Sequence, residues 1–190
     1  MAEDANPRIS TVRPITDVWK DRLEPGLTLI LCGEEPLNYA AHAALYGTIY
    51  DCCTRAFPAT SQHCRELYSQ ITPFYAAYTA QIRAAAPDDD NRVPNYYDAQ
   101  WDQFSRRAVV IDRLFTYLNT HFVGSQRQEG GYNIETVLNV ARTEWKKQVF
   151  EPRLETALDG GAVRLNTIRA LFTSKNVTAA KLKTMHVHAT

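Results

Sequence analysis

Hydrophobic residues recur at intervals of three and four along most of this chain, as they do on the buried face of an α-helix. No stretch shows the strict alternation that would indicate a strand. The pattern predicts helices marked by Trp19, Leu23, Leu27 and Ile30 or Leu31; by residues 38–56; by Leu67, Ile71, Phe74, Tyr78 and Ile82; by Trp101 through Phe122; and by Val137, Leu138, Ala141, Trp145 and Val149. We therefore expect an all-α protein, an elongated bundle of five to six helices.

Glycines and prolines divide these runs from one another. Gly33 and Pro36 end the first helix, and Pro73 either kinks the third run or marks where a later helix begins. Residues 95–123 fit one helix or a pair of helices. The predicted organisation is a flexible arm over residues 1–14, a helical domain over residues 15–159 and a divergent tail over residues 160–190.

The predicted second helix carries two hydrophobic stripes, whereas one stripe is enough to hold a surface helix on a domain. The first stripe contains Leu45, Ile49 and Cys52. The second is turned by about one residue and contains Tyr39, Ala43, Tyr46, Tyr50 and Cys53. Tyrosine combines a large apolar ring with a polar tip, so it suits a surface that a partner covers. Two interpretations stay open: the second stripe binds a partner, or the helix is central in the bundle and buried on both sides.

Gly47 lies within the same predicted helix. Glycine inside a helix costs about 1 kcal/mol relative to alanine. Its presence indicates either that a neighbouring element approaches closely or that a local weakness is tolerated.

The composition narrows the class of protein. Hydrophobic residues make up 45% of the chain and charged residues 22%, an ordinary balance for a globular domain with a core. Lysine plus arginine and aspartate plus glutamate are equal at 21 each, which argues against nucleic acid or an anionic membrane as the main partner. No apolar run approaches the length of a membrane span, and residues 1–13 lack the apolar segment of a signal peptide. We therefore expect a cytoplasmic or nuclear protein.

Residues that could carry catalysis or bind a metal are scattered. Three consecutive aspartates at 88–90 and the pair His186 and His188 are expected to be solvated rather than metal ligands. No phosphate-binding loop, nucleophile elbow or pair of catalytic carboxylates occurs, so we expect no enzyme activity, no cofactor and no metal site. The cysteines contain no C-x-x-C pair and are expected to be small buried hydrophobic side chains: Cys32, Cys52, Cys53 and Cys64.

Five sequence motifs follow one another between residues 15 and 158. They are Trp19 with Leu23 and Gly26; Leu45-Tyr46-x-x-Ile49-Tyr50-x-x-Cys53-Thr54; Leu67-Tyr68; Trp101 followed by Phe115-x-Tyr117-Leu118-Asn119 and Phe122-Val123; and Trp145-x-x-x-x-Phe150-x-Pro152. In this order and spacing they resemble the N-terminal cullin repeat, the first helical repeat of the scaffold in cullin-RING ubiquitin ligases. The Cys53-Thr54 and Tyr117-Leu118-Asn119 details are similar to the cullin of SCF-type ligases.

The resemblance implies a function for the tyrosine-bearing stripe. In cullins the second and fifth helices form the docking surface for the substrate adaptor, which in SCF-type ligases is the small protein that carries F-box receptors. Tyr46 and Phe122 are expected to be the anchors, because aromatic residues near an interface centre often dominate binding energy. Ile111, Leu114 and Leu118 are expected in the core. Carried over by position, the adaptor-binding residues are His42, Ala43, Tyr46 and Tyr50 on one helix and Asn119 and Phe122 on the other.

A few positions depart from the family's pattern. The family has large residues where this chain has His42 and Ala43, threonine where it has Gly47, and arginine where it has Thr120. The loss of two large contacts is expected to weaken the interface by roughly a few kcal/mol or to change which partner is preferred.

Family members continue with two more helical repeats and a domain that holds the RING subunit and accepts a ubiquitin-like modifier. This chain reaches only Thr190, so we expect no RING subunit among its partners. Two roles share adaptor binding: the docking end of a ligase scaffold, or a short stand-alone protein that sequesters adaptors and inhibits the ligase. A third interpretation is a structural helical protein that binds no adaptor, and it predicts that Tyr46 and Phe122 are both buried.

Overall fold

The computed structural model describes residues 13–33, 35–54, 60–87, 89, 92–130 and 134–152. Within these ranges the secondary structure is helical and contains no strand, which confirms the predicted all-α class. None of the helices in them is long and apolar enough to cross a membrane. The predicted arm up to residue 12, the predicted tail, two of the three consecutive aspartates, and His186 and His188 lie outside the described residues.

Helix α1 contains the α-helical stretches Ile15–Val18 and Glu24–Cys32, joined by the π-helical stretch Trp19–Leu23. It is followed by α2 (Tyr39–Thr54), α3 (Thr60–Ser69), α4 (Ile71–Ala84) and α5 (Val93–Leu114). Helix α6 begins with the π-helical stretch Leu118–Val123 and continues as Gly124–Gln128, and α7 contains Val137–Trp145 and the π-helical stretch Lys146–Phe150. Only the turn residue Gln70 separates α3 from α4. If α3 and α4 are counted as one helix, the described ranges contain six helices, which is the upper end of the predicted number.

The described residues form two compact units. The first takes in the described parts of residues 13–70 and 114–130, which include α1, α2, α3 and α6. The second takes in the described parts of residues 71–113 and 134–152, which include α4, α7 and all of α5 except its last residue. Each unit has its own buried side chains.

In the first unit, α1 packs against α2 and α3, and α3 packs against α6. The buried side of α1 repeats every four residues, which is slightly longer than the 3.6-residue turn of an α-helix. The π-helical stretch accommodates this spacing, because its hydrogen bonds run from residue i to residue i+5. Leu31, not Ile30, therefore completes the series of buried residues: Trp19, Leu23, Leu27 and Leu31.

The close approach between α1 and α2 occurs at Gly26. A Cβ atom at this position would lie 2.5 Å from Cδ2 of Leu45, closer than side chains pack. Gly47 differs, because outside its chain neighbours and the backbone of α2 no described atom lies within 4 Å of the place where its Cβ would be. Of the two explanations for Gly47, the structure supports a tolerated local weakness.

The second unit is built around a cluster of aromatic rings. Helix α4 packs against α7. Phe104 of α5 is buried at the centre of the cluster. Its ring centroid lies 5.0 Å from that of Trp145, 5.9 Å from those of Tyr75 and Tyr78, and 6.1 Å from that of Trp101. These rings, drawn from three helices, form the core of the second unit.

Asp112 of α5 helps to fix the start of α7. Its Oδ1 accepts a hydrogen bond from the backbone N–H of Leu138 at 2.9 Å. The hydroxyl of Thr136, the N-cap residue, accepts one from the backbone N–H of Asn139 at 3.4 Å. Both N–H groups belong to the first helical turn, which has no intrahelical acceptor for them.

The structure resolves two alternatives that the sequence left open. Pro73 marks a later helix start rather than a kink, because α4 begins at Ile71 and Pro73 lies in its first turn, where proline is tolerated. Residues 95–123 belong to a pair of helices, α5 and α6, with a turn at Phe115 between them.

The cysteines follow the prediction except at one position. Cys52, Cys53 and Cys64 are buried, whereas Cys32 is exposed. The prediction is wrong for Cys32 because the buried side of α1 runs through Leu31, and the next residue points about 100° away around the helix.

Two of the buried thiols are held in their neutral form. Burial, together with the nearby charge of Asp51, raises the pKa of the Cys52 thiol to about 11. A hydrogen bond with Cys64, reinforced by burial, raises the pKa of Cys53. The same hydrogen bond lowers the pKa of Cys64. A protonated thiol is a poor nucleophile, so Cys52 and Cys53 act as packing residues at neutral pH.

Candidate docking surface

One face of α2 is exposed to solvent although it carries no charge. Within α2 the only charged residue is Asp51. Tyr39 is 89% exposed, Tyr46 is 41% exposed and Tyr50 is 42% exposed. Together with the exposed Ala43 they occupy positions i, i+4, i+7 and i+11, and we call this set the tyrosine stripe. An exposed helix face normally carries polar and charged residues, so the tyrosine stripe has the composition of a surface that a partner covers.

The opposite side of α2 faces the core. Leu45, Ile49 and Cys52 are buried, which confirms the first predicted stripe. Cys53 was predicted on the second stripe but is also buried, because it lies between Ile49 and Tyr50 around the helix and Cys64 of α3 is hydrogen-bonded to it. In the described part of the chain, α2 is therefore buried on one side only.

Tyr50 connects the tyrosine stripe with the start of α6. The rings of Tyr46 and Tyr50 are stacked with centroids 6.3 Å apart, and Tyr50 meets Tyr117 edge to face at 5.0 Å. Tyr117 in turn lies 4.2 Å from the ring of the exposed His121. We call these four residues the ring row. Because each ring is held by a neighbour, the row loses less side-chain freedom on binding than isolated rings would.

Phe122 lies in the core of the first unit instead of on this surface. It is 8% exposed, and its ring centroid is 5.8 Å from that of Tyr68 on α3. The structure thus differs from the expectation that Phe122 presents an exposed anchor. The reason is its helical position, since it follows the buried Leu118 by four residues and faces the same side.

The two remaining predicted adaptor-binding residues, His42 and Asn119, are both half-buried. The backbone N–H of His42 donates a hydrogen bond to the carbonyl of Asn38 at 3.0 Å. Asn119 lies on α6. The three residues predicted for the core are confirmed there: Ile111, Leu114 and Leu118.

Three residues on this surface were not among the predicted site residues. Tyr117 and His121 each precede a buried residue, Leu118 and Phe122 respectively. The same four-residue spacing, shifted by one position, is the sequence signal that points to them. Tyr39 was recognised as part of the second stripe, but its place at the first turn of α2 gave no sign that it would be so exposed.

The interpretation of a purely structural protein predicted that both Tyr46 and Phe122 are buried. The structure buries Phe122 and leaves Tyr46 exposed. Within the described ranges no group of three or more histidine, cysteine, aspartate or glutamate side chains could hold a metal ion. The exposed tyrosines present ring faces to solvent, and such faces are common on surfaces that partners cover.

The described residues combine an all-helical fold with a neutral aromatic surface shared by two helices. A family model described as the cullin alpha solenoid domain matches residues 20–179. The chain belongs to the cullin family, as its motifs indicated. The match extends beyond residue 159, where the sequence predicts the end of the helical domain.

Curated relatives carry cullin names. The chain is 26% identical to Cullin-1 of Caenorhabditis elegans over 166 residues, which cover 75% of this chain and 21% of that protein. It is 26% identical to Cullin-6 of the same organism over 146 residues, covering 72% of this chain and 20% of the relative. It is 20% identical to cell division control protein 53 of Saccharomyces cerevisiae over 161 residues, covering 72% and 19%. The chain thus spans about a fifth of the length of these relatives.

Proposed function

We propose that this chain is the adaptor-docking module of a cullin-type ubiquitin ligase scaffold, and that its tyrosine stripe and Tyr117 bind an F-box-carrying adaptor of the SCF type. One observation carries the proposal. Of the four large hydrophobic side chains exposed among the described residues, three lie on the tyrosine stripe, and the fourth is Leu29 on α1. Exposed hydrophobic side chains that cluster in this way mark interaction surfaces.

The ring row supplies the energy for such binding. Tyrosine is among the residues that most often contribute more than about 1 kcal/mol to a protein interface. Tyr46 and Tyr50 together keep roughly two-fifths of their surfaces exposed, and their other sides rest on each other and on Tyr117. The adaptor would complete the burial of rings that are already in place.

The absence of charge on the tyrosine stripe indicates that the partner presents an apolar surface. A neutral, aromatic face matches an apolar patch better than a charged one, because a charge brought against it would lose water without gaining a partner. We therefore expect the affinity for the adaptor to change little between low and high salt, since screening acts mainly on charge pairs.

Membership of the cullin family supports a docking role, and the motif resemblance to the SCF-type cullin supports the SCF type of adaptor. The relative named Cullin-1 agrees with that choice. The proposed role is non-catalytic, because binding requires only the surface contacts described above.

Calorimetric titration of the full chain with an F-box-carrying adaptor tests this proposal. We expect saturable binding in the micromolar range or tighter, both with the adaptor alone and with an F-box receptor bound to it. The matched pair of variants is the double variant Tyr46→Ala with Tyr50→Ala, which should weaken binding roughly thirtyfold or more, and Leu29→Ala, which removes an exposed hydrophobic side chain outside the stripe and should leave binding unchanged. If the folded wild-type chain does not bind, the proposal is wrong, and BTB-type and elongin-type adaptors are the next to titrate.

A further inference from the structure

Two buried thiols of the first unit meet between consecutive helices. Cys53 lies in the last turn of α2 and follows the buried Ile49 by four residues. Cys64 lies on α3 and precedes the buried Leu67 by three residues. Each thiol is therefore on the buried side of its helix. The two helices pack against each other, and the two thiols share a hydrogen bond.

A covalent bond between these sulfurs would join α2 to α3. Ten residues separate Cys53 from Cys64 in the sequence, so the bond would close a short loop. A disulfide stabilises a protein mainly by restricting the unfolded chain, provided that the native geometry accepts it. Two sulfurs that are already in hydrogen-bond contact need only a small further approach to form such a bond.

We propose that Cys53 and Cys64 are a redox-sensitive pair, which hydrogen peroxide converts into a disulfide that links α2 to α3. The proposal does not depend on adaptor binding, because the reaction involves only this chain and the oxidant. Neither thiol belongs to the ring row or to the tyrosine stripe.

The asymmetry of the pair indicates that Cys64 reacts first. The hydrogen bond with Cys53 lowers the pKa of Cys64, so Cys64 carries the larger share of thiolate. Its thiolate attacks one oxygen of hydrogen peroxide, and the O–O bond breaks. The departing hydroxide takes up the proton that the Cys64 thiol had released and becomes water. A sulfenic acid remains on Cys64.

Cys53 then completes the disulfide. Its sulfur attacks the sulfur of Cys64, the S–O bond breaks, and the departing hydroxide takes the Cys53 proton to form a second water. In total the two thiols lose two electrons and two protons, and one peroxide is reduced to two water molecules.

Cys53 is better suited to this second step than its neighbour Cys52. The hydrogen bond with Cys64 is the main cause that raises the pKa of Cys53, and oxidation of Cys64 removes the thiolate that takes part in it. The pKa of Cys52 is raised mainly by burial, so this thiol stays protonated whether or not Cys64 is oxidised.

Peptide mapping of the full chain after treatment with hydrogen peroxide tests the pair. Once free thiols have been alkylated, trypsin cleaves after Arg22, Arg55 and Arg65, which places Cys53 and Cys64 in separate peptides, residues 23–55 and 56–65. We expect these two peptides to be joined, with a combined mass lower by two hydrogen atoms. Dithiothreitol should separate them again.

Serine variants identify the partner of Cys64. Cys52→Ser removes the neighbouring thiol from the same peptide and should leave the joined peptides unchanged. Cys53→Ser should lower their yield about tenfold or more. Circular dichroism checks that both variants fold. Fragmentation of the joined wild-type peptides assigns the bond to Cys53 or Cys52 even if a variant does not fold.

The melting temperature tests whether the bond fits the native fold. Closing a loop of this length should raise the melting temperature of the oxidised wild-type chain by about 5 to 10 °C relative to the reduced chain. The same treatment should leave the melting temperature of Cys53→Ser unchanged.

Three results would overturn the proposal. The first is that peroxide oxidises the exposed Cys32 but does not join the two peptides. The second is a bond to Cys52, or an undiminished yield of joined peptides in Cys53→Ser. The third is an oxidised chain that melts below the reduced one, because the bond would then form only by distorting the packing of α2 on α3.

Discussion

The two units use aromatic residues in opposite ways. In the second unit, Phe104 is surrounded by rings at 5.0 to 6.1 Å and is buried. In the ring row of the first unit, the rings are spaced at 4.2 to 6.3 Å, yet Tyr46 and Tyr50 keep about two-fifths of their surface exposed. Ring-to-ring distances are similar in the two places, so they do not separate a core from a docking surface. What separates them is whether other helices of the same unit cover the remaining faces of the rings.

This difference predicts which substitutions affect folding and which affect binding. Removing a ring from the aromatic cluster of the second unit should lower the free energy of unfolding, whereas removing a ring from the ring row should lower the affinity for the adaptor. Phe122 is the decisive intermediate case, because the family resemblance assigns it to docking and the structure places it in the core.

The largest effect is expected for Phe104→Ala. Truncation of a buried phenylalanine removes its transfer free energy and leaves a cavity, and the expected loss of unfolding free energy is about 3 to 5 kcal/mol. Urea denaturation followed by circular dichroism measures this loss. Tyr39→Ala is the matched control, with an expected change of less than about 0.5 kcal/mol. A loss below about 1 kcal/mol for Phe104→Ala would show that the aromatic cluster is not the core of its unit.

Phe122→Ala should come next, with an expected loss of about 3 kcal/mol from the lost contact with Tyr68 and the cavity. The fraction that remains folded should bind the adaptor with nearly wild-type affinity. Thermal melting and calorimetric titration of the same preparation measure the two effects. A variant of wild-type stability that has lost adaptor binding would restore Phe122 as an anchor.

The double variant Tyr46→Ala with Tyr50→Ala should show the opposite pattern, a large loss of affinity with a small loss of stability. We expect its affinity for the adaptor to fall by about 2 kcal/mol or more, roughly thirtyfold, because two interface tyrosines are lost. The unfolding free energy should fall by only about 1 kcal/mol, mainly from the lost contact between Tyr50 and Tyr117. Unfolding of this variant would mean that both tyrosines belong to the core.

The smallest expected effect is an increase in the free energy of unfolding. Gly47→Ala should raise the unfolding free energy by about 1 kcal/mol, because alanine favours the helix and the new Cβ meets no described atom outside its chain neighbours and the backbone of α2. Gly26→Ala is the contrasting variant and should destabilise, since its Cβ would lie 2.5 Å from Leu45. Differential scanning calorimetry of both variants checks the pair. Destabilisation by Gly47→Ala would reveal a neighbour that the structure does not show.

The buried faces of the helices could be predicted from the sequence because the helical repeat acts locally. Leu45, Ile49 and Cys52 recur at intervals that leave little choice about which side they share, and the structure buries them. The same local rule would have placed Phe122 beside Leu118 in the core. The family resemblance assigns Phe122 to the docking surface instead, and the Phe122→Ala variant tests that assignment.

Other features depend on contacts between helices, and the spacing of hydrophobic residues in the sequence does not indicate such contacts. The close approach at Gly26 exists because Leu45 of another helix meets it, and nothing in the spacing of either residue indicates this. In the same way, the tyrosine stripe was recognised from its spacing, but its exposure depends on which neighbours leave it uncovered.

A footprint of the complex tests the central claim most directly. Hydrogen–deuterium exchange of the full chain, measured with and without a saturating F-box-carrying adaptor, compares α2 and α6 with α4 and α7. The account predicts slower exchange of the peptides that cover residues 39–50 and 117–121, and unchanged exchange in α4 and α7. Protection of α4 and α7 with no change in α2 would contradict it, because the adaptor would then bind elsewhere than on the tyrosine stripe.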